Sequence, residues 1–191
     1  MTKTIDFNDL SSGTIVDNEY QSDGVTIQAW TANGVGDRAM IFDTSNPTGG
    51  DHDLATNNLG NALIVSEDGD SHDPDDAIGG TFRFCFADGA DLKSLTFLDN
   101  EEGAIVRFYN EHGQLIATRQ IPTTADNGQY VATFDVEGVY TMDVQLCGSG
   151  AIDNLVYDDI GGALDGTVSG TSGDDVIDVH YDGDVEGDRV D

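Results

Sequence analysis

The sequence predicts an all-β protein, a two-sheet antiparallel β-sandwich of jelly-roll type spanning residues 4–158. Three observations predict it. Short apolar runs alternate with polar residues at a period of two, Gly, Asp and Asn gather between the runs, and no amphipathic segment exceeds two helical turns. Period-two patterning buries one face of each strand. Many short strands in about 155 residues reach a common core by packing two sheets face to face.

The candidate strands in order are Thr4–Phe7, Gly24–Trp30, Ala39–Asp43, Ala62–Ser66, Gly79–Phe86, Leu92–Leu98, Ala104–Asn110, Leu115–Ile121, Gln129–Asp135, Tyr140–Leu146 and Ala151–Tyr157. In "TFRFCF", Phe82, Phe84 and Phe86 alternate with Thr81, Arg83 and Cys85, so the aromatics face one way and the others the opposite way. "IVRFYNEHGQLIATRQI" reads as a hairpin whose turn is "NEHG", with Gly113 supplying a positive φ. At Ile160 the character changes. Residues 160–191 carry nine acids, one Arg and seven Gly with few large apolar residues, which cannot build a core of their own. Residues 159–191 are therefore expected to form a poorly ordered acidic linker, the start of another element.

Charge narrows the partners. Seven Lys and Arg face 37 Asp and Glu, a formal net charge of -30. That opposes nucleic acid, which is bound through cationic contacts to phosphate, and anionic membrane surfaces. No apolar run approaches the roughly 18 residues of a membrane span, and "MTKTIDFNDL" lacks the apolar centre of a signal peptide. Cys85 and Cys147 stand in apolar, strand-like contexts with no basic neighbour to lower a thiol pKa. They are either two buried free thiols or a disulfide between neighbouring strands, and a disulfide is expected if the protein meets an oxidising compartment.

Placement of the acids is more informative than their number. Met40 to Asp76 holds nine carboxylates and no Lys or Arg. Asp43 closes a strand, and Asp51 and Asp53 follow two residues apart beside Gly49 and Gly50. After the next strand come Glu67, Asp68, Asp70, Asp73, Asp75 and Asp76. Like charges held close repel unless solvent or a cation screens them. The donors are oxygens, with His52 and His72 unaccompanied by Cys, which favours Ca²⁺ over zinc. The alternative is a merely solvated acidic surface.

In the tail, "GTSGDDVID" (Gly170 to Asp178) resembles the nonapeptide calcium repeat of repeats-in-toxin (RTX) proteins, Asp175 occupying the Asp position and Thr171 replacing the second Gly. In the body, "IDFNDLSSGTIVDNEYQSDGVTI" and "GSGAIDNLVYDD" resemble bacterial extracellular β-sandwich modules related to carbohydrate-binding jelly rolls. That resemblance implies a structural Ca²⁺ held by Asn8 or Asp9 together with Asp153. It also implies a secreted, extracellular, monomeric module that binds a glycan or polysaccharide or mediates adhesion, within a larger RTX-type protein.

No G-x-S-x-G, H-E-x-x-H or phosphate loop is present, and one Trp with four scattered His makes a poor glycosidase site. A non-catalytic role is expected over a glycan hydrolase or lyase. Exposed aromatics would stack on sugar rings, with Trp30 and Tyr109 as the chosen candidates and Tyr20, Tyr130 and Tyr140 as further ones. A purely structural, Ca²⁺-stiffened spacer is the competing class.

Overall fold

The computed structural model describes residues 1–71 and 75–160. Among these there is no α-helix, only two 3-10 turns, Gln21–Asp23 and His52–Leu54. The strands are β1 (Thr2–Ile5), β2 (Val25–Thr31), β3 (Ala39–Asp43), β4 (Asn61–Val65), β5 (Gly80–Leu98), β6 (Ala104–Tyr109), β7 (Leu115–Ile121), β8 (Gln129–Leu146) and β9 (Ala151–Asp159). All pairings are antiparallel. The all-β antiparallel sandwich expected from the sequence is the observed architecture.

Eleven expected strands become nine because β5 and β8 each absorb two. "ADGAD" and "DVEGV" read as turns, yet they are irregularities inside continuous strands. The β5–β8 register shifts between Cys85 and Ala90, Ala90 and Leu92, and Leu92 and Ser94. Gly89 (φ 82°) and Asp135 (φ 49°) take the left-handed conformations that such bulges use. Bending at these points lets both strands belong to two sheets. The first sheet runs β2, the first half of β5, the second half of β8, β6 and β7. The second joins the other halves of β8 and β5 to β9, with β1 and β4 on the far edge of β9 and β3 beyond β4. The amino-terminal strand starts two residues earlier than expected. Phe7, at φ 56°, turns the chain out of it and drops its ring into the core.

Between the sheets lies one apolar core. Phe82, Phe84, Phe97 and Phe108 are fully buried there, and Phe108 meets Phe134 edge-on at 5.0 Å. Fully burying one such side chain contributes about 1.5–3 kcal/mol. A second, smaller core sits outside the second sheet. Leu54 and Leu59, from the loop between β3 and β4, pack over Met40, Phe42, Ile64, Leu98 and Ala151. That loop covers one outer face of the sandwich.

Cys85 and Cys147 are free, which corrects the expected disulfide. Cys85 lies opposite Thr141 on β8, whereas Cys147 is exposed six residues beyond Thr141. Six residues of strand span about 20 Å, and a disulfide needs Cα atoms within about 7 Å. Residues 161–191, with the repeat-like segment and Asp175, fall outside the described residues, as do His72 and Asp73.

Candidate functional site

Two regions hold the residues singled out by their chemistry. The first is the end of the sandwich where five loops meet. Asp51 and Asp53 come from the β3–β4 loop, Asp75 from the β4–β5 loop and Asp99 from the β5–β6 turn. Asn127, in the β7–β8 loop at φ 54°, donates its side-chain amide to the carbonyls of His52, Asp53 and Ala55, at 2.8, 2.7 and 3.2 Å. Its backbone N–H donates to Asp99 Oδ1 at 3.0 Å. One residue thus pins the acidic loop against the turn that carries Asp99. Asp75 is buried and accepts hydrogen bonds from Ser149 Oγ and from the Gly150 N–H in the β8–β9 turn.

The charges here are not compensated. Burial, with the adjacent Asp75 carboxylate, pushes Asp51 up to about 7. Burial likewise raises Asp75, against the pull of Ser149 and Gly150. Asp99 rises to about 6 through burial, with Asp53, Glu101 and Asp126 adding repulsion. Asp75 adds its repulsion to the burial of Asp51, and two neighbouring carboxylates, one half-buried and one buried, are costly to keep ionised together without a cation. Asp51 Oδ2 and Asp53 Oδ1 are buried and accept no hydrogen bond. Buried polar atoms are normally paired, so these orphaned oxygens fit a hard cation. Among the described residues, however, no three acidic, His or Cys side chains already converge as a ligand set.

The other expected acids are placed elsewhere or occupied. Asp43 caps its own turn, accepting from the Ser45 N–H and Oγ. Asp68 accepts from the Asp70 N–H, and Asp76 from the Ile78 N–H. Glu67 lines a depression with Asn33, Val35 and Asp76. Asn8 is structural, accepting from the Asn61 N–H and donating to the Leu59 carbonyl, while Asp9 accepts from the Tyr20 hydroxyl. Asp153 is buried on β9, accepts among the described residues from the backbone and amide of Asn154, and rises to about 7 through burial. Its charged neighbour is Asp6, which the sequence reading did not name.

The second region is the outer face of the first sheet. Period-two alternation puts Thr26, Gln28 and Trp30 of β2 on it, with Thr81, Arg83 and Cys85 of β5. Across the register stand Thr141, Asp143 and Gln145 of β8, then Ile105, Arg107 and Tyr109 of β6. The rows therefore read Trp30–Thr81–Gln145–Ile105, Gln28–Arg83–Asp143–Arg107 and Thr26–Cys85–Thr141–Tyr109. Both aromatics chosen from the sequence lie on this one face, at opposite corners.

Arg83 is fixed in the middle. Its Nε donates to Asp143 Oδ1 at 2.7 Å and its Nη2 to Oδ2 at 2.8 Å, while the guanidinium lies 5.3 Å from the centroid of the Trp30 ring. Arg107 opposes Asp143 in register, but both oxygens are taken, and its Nη1 donates to Gln145 Oε1 at 3.0 Å. A depression of about 330 Å³ adjoins Trp30, Thr81 and Gln145, and another of about 280 Å³ adjoins Arg83, Tyr109, Thr141 and Gly113. The sequence pattern set Arg83 on the face opposite the buried aromatics but singled out neither it nor Arg107 nor Asp143 as a binding group, although each is a polar residue interleaved between buried apolar ones. Asp99 and Asn127 carried no such local signal.

The chain matches no protein-family model and no curated protein. Solved structures similar to it include a mutant of the family 29 carbohydrate-binding module CBM29-2, at 16% identity and a TM-score of 0.41, covering 83% of this chain and 92% of that one. A family 32 carbohydrate-binding module from C. perfringens NanJ, in complex with galactose, is 14% identical over 71% of this chain and 95% of the other, with a TM-score of 0.38. A Streptococcus pneumoniae fucose binding module is 12% identical, covering 59% and 74%, with a TM-score of 0.34. At such distances the function of this chain has to be read from its own residues.

Proposed function

We propose that this chain is a non-catalytic glycan-binding module of an extracellular, RTX-type protein, with Ca²⁺ bracing the loops at one end of its sandwich. The observation that carries the reading is the outer face of the first sheet. Aromatic rings offer flat apolar surface to a sugar ring, while planar amide, guanidinium and carboxylate groups offer the donors and acceptors that its hydroxyls need. Trp30 and Tyr109 flank such groups here, and Arg83 is held in one orientation by Asp143. A preorganised polar surface loses less side-chain entropy on binding than a mobile one. Among the described residues the covering loop is the β3–β4 loop, and it packs over part of the other sheet.

Ca²⁺ belongs to the same reading. Asp51 and Asp75 would hold it, with Asp53 contributing its orphaned oxygen. The ion would supply charge neutralisation, and those residues would bind and orient it. Asp75 also connects to the binding face. Asp76 begins a turn in which the Gly79 N–H donates to the Asp76 carbonyl, and the Gly79 carbonyl accepts from the Ala32 N–H, two residues after Trp30.

The test is affinity electrophoresis of the wild-type protein and a Trp30→Ala/Tyr109→Ala double variant through gels containing soluble polysaccharides. Retardation of the wild type by at least one polysaccharide, lost in a variant of unchanged melting temperature, supports the proposal. No retardation by any glucan, mannan, xylan, galactan or polyuronate would leave a structural spacer as the better reading.

A further inference from the structure

Resting on the glycan-binding reading, the geometry points to a ligand that is a neutral, unbranched polysaccharide lying diagonally across the first sheet from Trp30 to Tyr109, over at least four sugar units. Trp30 and Tyr109 are separated by three strand-to-strand steps, β2 to β5 to β8 to β6, and by four residues along β8, from Gln145 to Thr141. At about 4.8 Å per step and 3.3 Å per residue these are roughly 14 Å and 13 Å, a diagonal of about 20 Å. A pyranose unit built from bonds near 1.5 Å advances about 5 Å along its chain. Two stacking platforms at that separation serve one extended chain; a mono- or disaccharide could engage only one of them.

Polar groups fill the space between the platforms. The diagonal crosses Gln145, Asp143, Arg83 and Arg107, side chains with planar donors or acceptors. Arg83 has already spent its Nε and one Nη on Asp143. Arg107 donates one Nη to Gln145, and among the described residues no carboxylate lies within ion-pair distance of it. In a chain with 37 acids, an arginine on an outer sheet face without a carboxylate among the described residues stands out. Its remaining donors suit paired acceptors, the geometry in which guanidinium is most selective. The two depressions lie toward the two ends of the diagonal, one beside Trp30 and one beside Tyr109.

The outward positions of β2, β5, β8 and β6 carry two Arg and one Asp, close to neutral, within a protein of formal charge -30. The long-range field repels a dense polyanion, and a face whose net charge is a single positive one cannot offset it. A neutral chain meets no such barrier. Its adjacent hydroxyls are acceptors that Arg107 and Arg83 can bridge.

Calorimetry with neutral oligosaccharides decides the matter, using cello-, manno- and xylo-oligosaccharides of two to six units, with oligouronates of equal length alongside. For the sugar series that binds, affinity should rise at least tenfold from two units to four and change little beyond five. Trp30→Ala and Tyr109→Ala should each weaken the hexamer tenfold or more while a dimer loses affinity in only one of them. Arg107→Ala should weaken the hexamer severalfold at an unchanged melting temperature. Full affinity for a mono- or disaccharide, or binding of oligouronates alone, would overturn the extended neutral-chain assignment and leave the glycan-binding reading standing. Failure of every sugar to bind would overturn both.

Discussion

Arg83 and Asp143 form a two-pronged ion pair across β5 and β8, and the same guanidinium lies over the ring of Trp30. The pair is directly opposed in the register, which is why a side chain 60 residues away can hold the arginine so closely. Asp143 is mostly buried and Arg83 about two-fifths exposed. Removing the buried partner leaves the other half-buried and unpaired. Asp143→Ala should therefore cost about 2 kcal/mol and lower the melting temperature by roughly 4–8 °C. It should weaken glycan binding more than Gln28→Ala does, because Arg83 loses its fixed orientation. Equal effects of the two changes on binding would show that Arg83 is only a structural group.

Acidity acts on every carboxylate with a raised pKa, and the proposed Ca²⁺ would compete with it at Asp51 and Asp75. Asp51 and Asp153 rise to about 7 and Asp99 to about 6, each chiefly through burial. A group with a raised pKa in the folded state binds its proton more tightly folded than unfolded. Its stabilising effect is complete below the ordinary carboxylate value near 4 and is lost as pH rises through 6 to 7. In EDTA the protein should thus melt at a higher temperature near pH 5 than near pH 8. Ca²⁺ held as proposed by Asp51 and Asp75 would compete with their protons, so its stabilisation should be small near pH 5 and large near pH 8. At about 100-fold excess over the dissociation constant, one site adds roughly 2.7 kcal/mol. Mg²⁺ should do less, since it dehydrates reluctantly and needs stricter geometry. Melting curves in EDTA, Ca²⁺, Mg²⁺ and Na⁺ at matched ionic strength check this, and equal effects of Na⁺ and Ca²⁺ would reduce the cluster to a screened acidic surface.

Asn127→Ala removes the amide that holds three carbonyls of the acidic loop. The left-handed backbone at this position also tolerates Asn better than Ala. The expected cost is about 1–3 kcal/mol, with faster amide exchange across residues 51–55. Ca²⁺ affinity should fall with it. Exchange that stays slow in the variant would mean the loop is held by Leu54 and Leu59 alone.

Both thiols should titrate. Cys147 is exposed and should react within minutes in the folded protein, whereas half-buried Cys85 should react slowly until the chain unfolds. A single intramolecular disulfide in the unreduced protein would contradict the strand register.

Much of this fold is legible in the sequence because burial enforces a period of two. Phe82, Phe84 and Phe86 point inward as "TFRFCF" implies, and Gly113 closes the β6–β7 hairpin at φ 69° as "NEHG" implies. What misled was chemistry common to turns and bulges. Gly89 and Gly138 carry the positive φ of a turn, but here they bend strands that run on from one sheet into the other. The candidate sites divide the same way. Trp30 and Tyr109 are visible as aromatics in strands, and Asp51, Asp53 and Asp75 as loop acids. Their grouping with Asp99 and Asn127 depends on contacts between distant loops, for which no local pattern exists.

The chain has a single tryptophan, so its fluorescence reports directly on the face proposed to bind glycan. Trp30 emission should be recorded while an oligosaccharide is titrated to saturation, with heat release measured in parallel on the same sample. A sugar ring stacking on the indole excludes water from it, so the account predicts a shift of the emission to shorter wavelength that saturates with the calorimetric isotherm. Saturable heat with an unchanged emission would place the glycan away from Trp30 and contradict the account.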